Sequence, residues 1–231
     1  MKQDASWIFG DIGRLFYPKL CAGCRYALFE AEQGICAACV AALPRTAFKS
    51  GSENQAARMF HGRVKFMGVH SFLYFHKAGI TQSLLHQIKY RGGSALAYQM
   101  GQLFGHKLET RLLPDVLIPV PLHASRLRER GYNQSEALAQ GMAAALYLEV
   151  NTHMLSRTMA GRSQTKSGRL TRWNNVGTRF ECSNVVYPKE IHIGLVDDVL
   201  TTGATLESCA RALEQVGYRN LSAFTLAYAE Y

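Results

Sequence analysis

Hydrophobic and polar residues along the chain follow two periods, and each period predicts a different kind of element. Short apolar runs that end in polar loops predict buried strands at 64–76, 115–121, 150–155, 191–197 and 221–229. Apolar residues at every third or fourth position predict amphipathic helices at 80–92, 94–111, 133–149 and 204–216. The first apolar run is equally compatible with a hairpin. Because strands and helices of this length alternate, the pattern predicts an α/β fold with a mostly parallel sheet flanked by helices.

Four cysteines near the N-terminus form two pairs, each with two residues between its members. They are Cys21, Cys24, Cys36 and Cys39. A pair at this spacing can turn both sulfurs toward one point, and four thiolates complete the tetrahedral shell of a zinc ion. The alternatives are two disulfides or a redox pair, which a cytoplasmic setting disfavours. We therefore expect a structural Zn²⁺ site, since all four ligands come from the protein.

The residues around these cysteines predict how the chain is divided. The segment 46–63 is polar, rich in small residues and without a clear period, which is typical of a linker. We expect a helix and a small four-cysteine zinc module at 1–45, the linker, and one larger domain at 64–231. Apolar residues at helical spacing between Trp7 and Phe16 predict that first helix. Packing on the protein's own core explains it better than a membrane-surface role.

The net charge of +9 predicts an anionic partner, such as a nucleic acid, a phosphorylated metabolite or a lipid head group. The excess is concentrated: residues 157–179 contain six Lys or Arg and no Asp or Glu, whereas 191–231 contain two basic and five acidic residues. No run approaches the roughly eighteen apolar residues of a membrane span, and Asp4 and Asp11 interrupt the place of a secretory signal. We expect a cytoplasmic protein without a membrane span, the inner face of the membrane being the alternative location.

Two adjacent carboxylates, Asp197 and Asp198, follow a predicted strand, at the edge where a parallel sheet binds ligands. The next residues suit an anion: Thr201 and Thr202 are predicted to cap a helix, and Gly203 lets a ligand approach the backbone amides. The carboxylates would instead accept hydrogen bonds from hydroxyls or hold a divalent cation. A diol together with a phosphate describes a ribose 5-phosphate. The alternative is an ordinary acidic strand-to-helix turn.

The same stretch resembles, residue for residue, the phosphoribosyl-diphosphate motif of type I phosphoribosyltransferases. The resemblance implies a phosphoribosyltransferase-like sheet, ribose 2- and 3-hydroxyls bound by Asp197 and Asp198, and Mg²⁺ bridging ribose and diphosphate. It implies that five residues surround the 5-phosphate. These are Thr201, Thr202, Gly203, Ala204 and Thr205.

A diphosphate also needs positive charge, and the loop before the predicted helix start at Asn133 offers it. Arg126 and Arg130 lie in this loop, and arginine forks suit phosphate oxygens. The alternative is a solvated basic turn. His123, in the same loop, is explained at least as well as a surface or packing histidine.

This loop narrows the resemblance to one family. The segments 119–123 and 130–134, the paired cysteines and the Asp-Asp loop together are similar to the ComF family of competence-associated proteins, which includes the ComFC and GntX groups. Residues 89–92 and the basic tract 157–179 add to the match. In phosphoribosyltransferases a loop closes over the diphosphate, and the basic tract is the candidate for it. The diphosphate and loop residues so implied are Pro121, Leu122, His123, Arg126, Arg130, Lys89, Arg169 and Arg172.

Two functions of different classes follow from these features. The first is a Mg²⁺-dependent phosphoribosyltransferase that binds phosphoribosyl diphosphate or ribose 5-phosphate and acts on an unidentified acceptor. The second is a non-catalytic adaptor for single-stranded nucleic acid. The ComF resemblance implies a role in natural competence and DNA uptake, with single-stranded DNA and a competence helicase as partners. Tyr132 and Trp173 are candidates for base stacking, and packing explains each as well. The sequence indicates neither catalytic residues nor an oligomeric state.

Overall fold

The computed structural model describes residues 18–48, 53–90, 92–109, 113–158, 179–183 and 187–230. Its helices in these ranges are α1 (Ala37–Ala41), α2 (Gln55–Arg58), α3 (Ile80–Ile88), α4 (Ser94–Gly105), α5 (Ala124–Arg130), α6 (Gln134–Leu146) and α7 (Ala204–Gln215). Its strands are β1 (Gly68–Phe75), β2 (Val116–Pro119), β3 (Glu149–Val150), β4 (Leu155–Thr158), β5 (Arg179–Cys182), β6 (Ile193–Leu200) and β7 (Leu221–Ala229).

Five of these strands form one parallel sheet in the order β1-β7-β6-β2-β3. β4 and β5 pair antiparallel in a separate two-stranded sheet. β6 lies in the centre of the parallel sheet, between β2 and β7, so both of its edges are hydrogen-bonded. Because all five strands run the same way, their carboxyl ends share one edge, and this is where open α/β sheets bind ligands.

Apolar side chains cover both faces of the parallel sheet. One core includes Leu84 on α3, Met100 on α4 and Leu138 on α6, together with Cys21 and Ile35 of the four-cysteine module. The opposite core is built around α2, α7 and the small β4–β5 sheet. The four-cysteine module therefore packs directly on the helices of the larger domain, and the predicted fold class is confirmed.

Two glycines let α4 and α6 approach each other closely. A Cβ on Gly141 would lie 1.9 Å from the carbonyl oxygen of Tyr98, and a Cβ on Gly101 would lie 2.2 Å from that of Leu138. Both distances are far below van der Waals contact, so neither position accepts a larger residue without moving a helix. This close crossing fixes α6, whose N-terminal residues line the site described below.

Several predicted elements are confirmed in type and place. The helix predicted at 133–149 begins after Asn133, whose side-chain oxygen accepts a 3.1 Å hydrogen bond from the amide of Ser135. The strand predicted at 221–229 is β7, residue for residue. The first apolar run forms the single strand β1 and no hairpin.

Several predicted elements differ in their extent, and two strands show this most clearly. The strand predicted at 150–155 is instead the end of β3 and the start of β4, which belong to different sheets. The polar residues Asn151 and His153 lie between them, and the Asn151 side chain accepts from the amide of His153 in a turn. The strand predicted at 191–197 begins at Ile193 and continues to Leu200.

The segment predicted as a linker, 46–63, contains packed structure in its described part. Thr46 donates a backbone hydrogen bond to Phe72 on β1, and α2 follows after the gap at 49–52. Ala56 is fully buried and Phe60 is 2% exposed. The division of the chain into three parts stays a prediction, but the described residues of this segment pack on the sheet.

Within the described residues, no helix is both long and apolar enough to span a bilayer. The helix predicted between Trp7 and Phe16 lies outside the described residues.

Candidate sugar-phosphate site

The paired carboxylates lie inside β6 near its carboxyl end, because the strand continues past them. Asp197 is only 8% exposed and Asp198 is half-buried. Oδ1 of Asp197 accepts a 3.0 Å hydrogen bond from the Ser135 hydroxyl and a 2.9 Å bond from the backbone amide of Asp198. Its other oxygen has no hydrogen bond among the described residues and is available to a ligand.

The surroundings of Asp197 oppose its ionisation. Burial and, after it, the neighbouring charge of Asp198 raise the pKa of Asp197 to about 7, against the opposing effects of the Asp198 amide, Ser135 and Lys89. The carboxyl therefore changes its protonation near neutral pH. A ligand that donates hydroxyls or brings a cation would favour the ionised form.

Asp198 has a different set of partners. Its Oδ2 lies 3.5 Å from Nζ of Lys89, at the end of α3, and 3.4 Å from Nε2 of Gln134, on the first turn of α6. Lys89, predicted as a diphosphate ligand, is thereby placed beside the acid pair. Gln134 is 6% exposed, and its Oε1 is buried without a hydrogen-bond partner in the described part of the chain.

A cavity of about 150 Å³ opens beside these residues and has walls of opposite charge. Asp197 and Asp198 line it, together with polar and apolar residues and four cationic side chains, which we call the cationic wall. These are Lys89, Arg126, Arg130 and Arg157. Nη1 of Arg130 is buried and has no hydrogen-bond partner among the described residues. A buried donor without an acceptor is unfavourable, so this atom favours an anionic ligand in the cavity.

The basic loop forms a short helix, α5, that the sequence did not predict. Pro121, Leu122, Arg126 and Arg130, which the resemblance implies as diphosphate or loop residues, line the cavity. His123 instead caps α5, since its Nδ1 accepts from the amide of Ser125 at 3.2 Å and lies 2.6 Å from the Ser125 hydroxyl. This local role accounts for His123 without a ligand.

The predicted anion loop precedes α7, but its cap differs from the prediction. Gly203, with φ of 75°, is the N-cap of α7 and no side chain caps the helix, whereas Thr201 and Thr202 were predicted to do so. The hydroxyl of Thr202 accepts only a long 3.4 Å bond from the amide of Ala204. Apart from this long bond, no side chain of the described residues caps this helix N-terminus, so its other amides can face an anion. Thr205, on the first turn, also lines the cavity.

Three residues near this site were not predicted to belong to it, namely Gln134, Ser135 and Arg63, whereas Arg157 is the first residue of the basic tract predicted to close over the diphosphate. Gln134 and Ser135 follow the helix cap Asn133, and that cap was the signal that could have placed them at the sheet edge. Arg157 lies on β4, with its guanidinium 5.4 Å from the centre of the Phe180 ring. The predicted loop residues Arg169 and Arg172 lie outside the described residues.

The four predicted zinc ligands lie together. The sulfurs of Cys21, Cys24, Cys36 and Cys39 all lie within 4.8 Å of one another. Those of Cys24 and Cys36 are 3.8 Å apart. Bonds of about 2.3 Å in a tetrahedral zinc site place sulfurs roughly 3.8 Å apart, so the donor set fits zinc.

Backbone amides support the charged form of one of these thiols. The Cys21 sulfur accepts from the amide of Gly23 at 3.3 Å and of Cys36 at 3.2 Å. Burial alone would raise the pKa of Cys21, but backbone hydrogen bonds from Cys24, Cys36 and Gly23 lower it to about 6. A Cβ on Gly23 would lie 2.8 Å from the Cys39 sulfur, so this turn leaves no room for a larger residue.

No family model matches the chain. The DNA utilization protein YhgH of Escherichia coli O157:H7 is 30% identical over 149 residues, which are 62% of this chain and 65% of that protein. The protein of the same name from Salmonella typhi is 27% identical over 226 residues, covering 92% of this chain and 98% of that protein. Competence protein F of Haemophilus influenzae is 32% identical over 119 residues, 51% of this chain and 52% of that protein. The matched segment thus spans slightly less than two thirds of the E. coli relative.

A solved structure described as the allosteric regulatory enzyme of purine biosynthesis aligns with 58% of this chain and 26% of its own, at 16% identity and a TM-score of 0.41. That likeness is too distant to indicate what this chain does. The sequence relatives are more informative: they confirm that this chain is similar to competence-associated proteins, as its resemblance to the ComF family implies.

Proposed function

We propose that this protein binds phosphoribosyl diphosphate, or the ribose 5-phosphate group of a related ligand, at the carboxyl edge of β6 and serves DNA utilization or natural competence. One observation carries the proposal. A single small cavity brings hydroxyl acceptors, Asp197 and Asp198, within reach of Lys89, Arg126 and Arg130. A sugar phosphate presents hydroxyls and anionic oxygens to the two kinds of group at once.

The roles follow from the charges. Asp197 and Asp198 accept hydrogen bonds from the 2- and 3-hydroxyls of the ribose. The loop of Thr201, Thr202, Gly203, Ala204 and Thr205 binds the 5-phosphate with its backbone amides, since among the described residues only a long bond from Ala204 to Thr202 engages the start of α7. The diphosphate binds the cationic wall, where a buried donor of Arg130 has no partner among the residues that the structure describes. Arg169 and Arg172 are proposed to close over it.

Magnesium is proposed to accompany the diphosphate. Carboxylate oxygens are ligands that Mg²⁺ prefers, and it keeps several waters and bridges to phosphate oxygens. Among the described residues, no hydrogen bond engages Oδ2 of Asp197 or Oδ1 of Asp198, whereas Ser135, Lys89 and Gln134 contact the other two oxygens. The zinc ion is proposed to be structural, since all four sulfurs come from the protein and the module packs into the core.

Binding and transfer are separate proposals. In transfer, a nucleophile would form a bond to ribose C1 while the C1–O bond breaks, and pyrophosphate would leave with the electron pair as the nucleophile lost its proton. The described residues lining the cavity include no histidine and no third carboxylate that would act as a base toward an acceptor. Binding is therefore the primary proposal, and transfer depends on an acceptor that brings its own reactivity.

Calorimetry tests the binding proposal. The wild-type protein should bind phosphoribosyl diphosphate with Mg²⁺ and, more weakly, ribose 5-phosphate. A ligand at a hundred times its Kd should also add about 2.7 kcal/mol to the free energy of unfolding. The variant Asp197→Asn with Asp198→Asn should lose this binding, whereas Glu53→Gln with Glu190→Gln, which removes two exposed charges, should keep it. Unchanged binding by the first variant would overturn the proposal.

The second candidate is an adaptor for single-stranded nucleic acid, which the names of the relatives favour. Two aromatic side chains of the four-cysteine module, Tyr26 and Phe29, are 78% and 80% exposed, and exposed aromatic rings can stack on bases. Affinity for a short single strand should then fall steeply with salt, by about 0.7 in logarithmic slope for each phosphate contacted. Removing Arg126 and Arg130 together should lower that slope by roughly 1.4 if both contact phosphates. Absent or salt-independent binding would exclude this candidate.

A further inference from the structure

Arg63 lies in the segment that the sequence predicts as a linker, yet its guanidinium joins three parts of the fold. Nε donates a 2.8 Å hydrogen bond to Glu207 on α7, and Nη2 contacts the same carboxylate. Nη1 donates to the carbonyl oxygen of Thr202 at 2.9 Å and to that of Met59 at 3.1 Å. All three guanidinium nitrogens are thereby engaged, and one of the acceptors lies in the proposed 5-phosphate loop.

The carboxylate that holds Arg63 is itself fixed. Glu207 lies on the first turn of α7 and also accepts hydrogen bonds from Arg211 at 2.8 and 3.0 Å. The hydrogen bond from Arg211 and, after it, the contacts with Arg63 lower the pKa of Glu207 against the opposing effect of burial. A charged carboxylate between two guanidinium groups holds Arg63 in one orientation.

The hydrogen bond to Thr202 has a geometric consequence for the next amide. The carbonyl of Thr202 and the N–H of Gly203 belong to one peptide group, and the described residues include no cis peptide. In a trans peptide these two bonds point in opposite directions. Since Arg63 holds the carbonyl on its own side of the loop, the N–H of Gly203 is turned to the other side.

Phe60 supports the same residue from the core. It is 2% exposed, and a Cβ on Gly203 would lie 2.8 Å from its ring. Gly203 also has the left-handed φ of 75°, which favours glycine. The orientation of this peptide is thus determined by Phe60 below the loop and Arg63 beside it.

Resting on the proposed function, we infer that Arg63 is a positioning residue for the phosphate-binding loop: it holds the Thr202 carbonyl so that the Gly203 amide donates to the 5-phosphate. Arg63 itself does not contact the ligand. Replacing Arg63 should therefore weaken the binding only of ligands that carry a 5-phosphate. The cationic wall, which is proposed to bind the diphosphate, does not include Arg63.

Calorimetry on the full chain separates this role from general stability. Arg63→Gln should weaken ribose 5-phosphate binding at least about tenfold, the loss of one charge-assisted hydrogen bond, and leave inorganic pyrophosphate binding unchanged. Arg58→Gln removes the same charge from an exposed position of α2 and should change neither affinity. Arg63→Lys should give an intermediate loss of ribose 5-phosphate affinity. One ammonium group cannot donate to Glu207 and to both carbonyl oxygens at once.

Each outcome decides the inference. If wild-type protein binds neither phosphoribosyl diphosphate nor ribose 5-phosphate, the proposed function fails and the inference falls with it. If it binds but Arg63→Gln behaves like Arg58→Gln, or weakens both ligands equally, the inference alone is overturned. If Arg63→Gln does not fold, the wild-type protein provides the test by NMR. Its Gly203 amide proton should shift downfield on addition of ribose 5-phosphate, and an unmoved Gly203 signal would overturn the inference.

Discussion

The hydroxyl of Ser135 on α6 donates a 3.0 Å hydrogen bond to the carboxyl of Asp197 on β6, 62 residues later in the chain. Both side chains are buried, at 1% and 8% exposure. The bond connects the helix that Asn133 caps to the strand that carries the acid pair. The bond also favours the ionised form of Asp197 and so lowers its pKa, against the effect of burial, which raises that pKa to about 7.

Asp197→Asn should stabilise the free protein at alkaline pH. Because burial raises the pKa of Asp197 to about 7, the folded state holds a proton that the unfolded chain releases near pH 4. The protonated carboxyl therefore contributes its full stability to the folded state at low pH. This contribution is lost as the pH rises from about 4 through 7. The variant should gain up to about 4 kcal/mol over wild type at pH 8 and little at pH 4, as measured by urea unfolding. An equal effect at both pH values would contradict the raised pKa.

Ser135→Ala should raise the pKa of Asp197 further, since it removes one of the two donors to Oδ1. The midpoint of the pH dependence of ribose 5-phosphate binding should move to higher pH than in wild type. The free energy of unfolding at pH 8 should fall by about 1–3 kcal/mol, because a buried acceptor loses a partner. Ser183→Ala, at an exposed serine, serves as the control and should alter neither quantity.

Cys36→Ser should abolish zinc binding. Purified wild-type protein should contain about one zinc per chain by elemental analysis, and the variant close to none. The melting temperature should fall by many degrees, since Cys21, Ile35 and Leu43 of the same module lie in the main core. Cys182→Ser, outside the cluster, should retain the metal. If elemental analysis found no zinc in freshly purified, reduced wild-type protein, the zinc site would be refuted.

Gly203→Ala should destabilise the protein by about 1–3 kcal/mol, through the left-handed φ and the contact with Phe60. Gly62→Ala provides a matched control. It has a similar φ of 71°, but a Cβ there meets nothing within 4 Å. The difference between the two variants, measured by chemical unfolding, reports the Phe60 contact. Equal losses would show that this contact has no energetic effect.

Tyr132→Phe should cost about 1 kcal/mol of stability, because the Tyr132 hydroxyl donates to the carbonyl of Ile88. Burial raises the pKa of Tyr132 to about 12, consistent with a hydroxyl that keeps its proton. Tyr147, which is 96% exposed, is the control: Tyr147→Phe should leave the unfolding midpoint unchanged. This contact favours packing over base stacking as the role of Tyr132. A Tyr132→Phe variant as stable as wild type would weaken that assignment.

Local patterns accounted for most of the elements and for part of the site. β7 matched its predicted range because a long apolar run in a central strand of a parallel sheet is buried on both faces. The strand predicted at 150–155 failed because two short strands of different sheets share one apolar stretch. Propensity does not specify which sheet a strand joins.

The segment 46–63 also shows that local sequence patterns do not predict tertiary contacts. Its composition is that of a linker, yet Phe60 fills the space under Gly203 and Arg63 bonds to the carbonyl beside it. Both contacts join residues about 140 positions apart, so no local signal indicated them. The predicted roles of Arg169 and Arg172 lie outside the described residues and stay predictions.

The sequence by itself determined the kinds of chemistry in this protein: four thiols at zinc spacing, two adjacent carboxylates, and a glycine loop before a helix. These are local features, since each requires only neighbouring residues of the right type. The tertiary structure decided which groups face each other. Parallel pairing of β2, β6 and β7 and the close crossing of α4 and α6 bring Gln134 and Ser135 to the acid pair. Burial at that junction, a property of the packed chain and not of any segment, then moves the pKa of Asp197 toward neutrality.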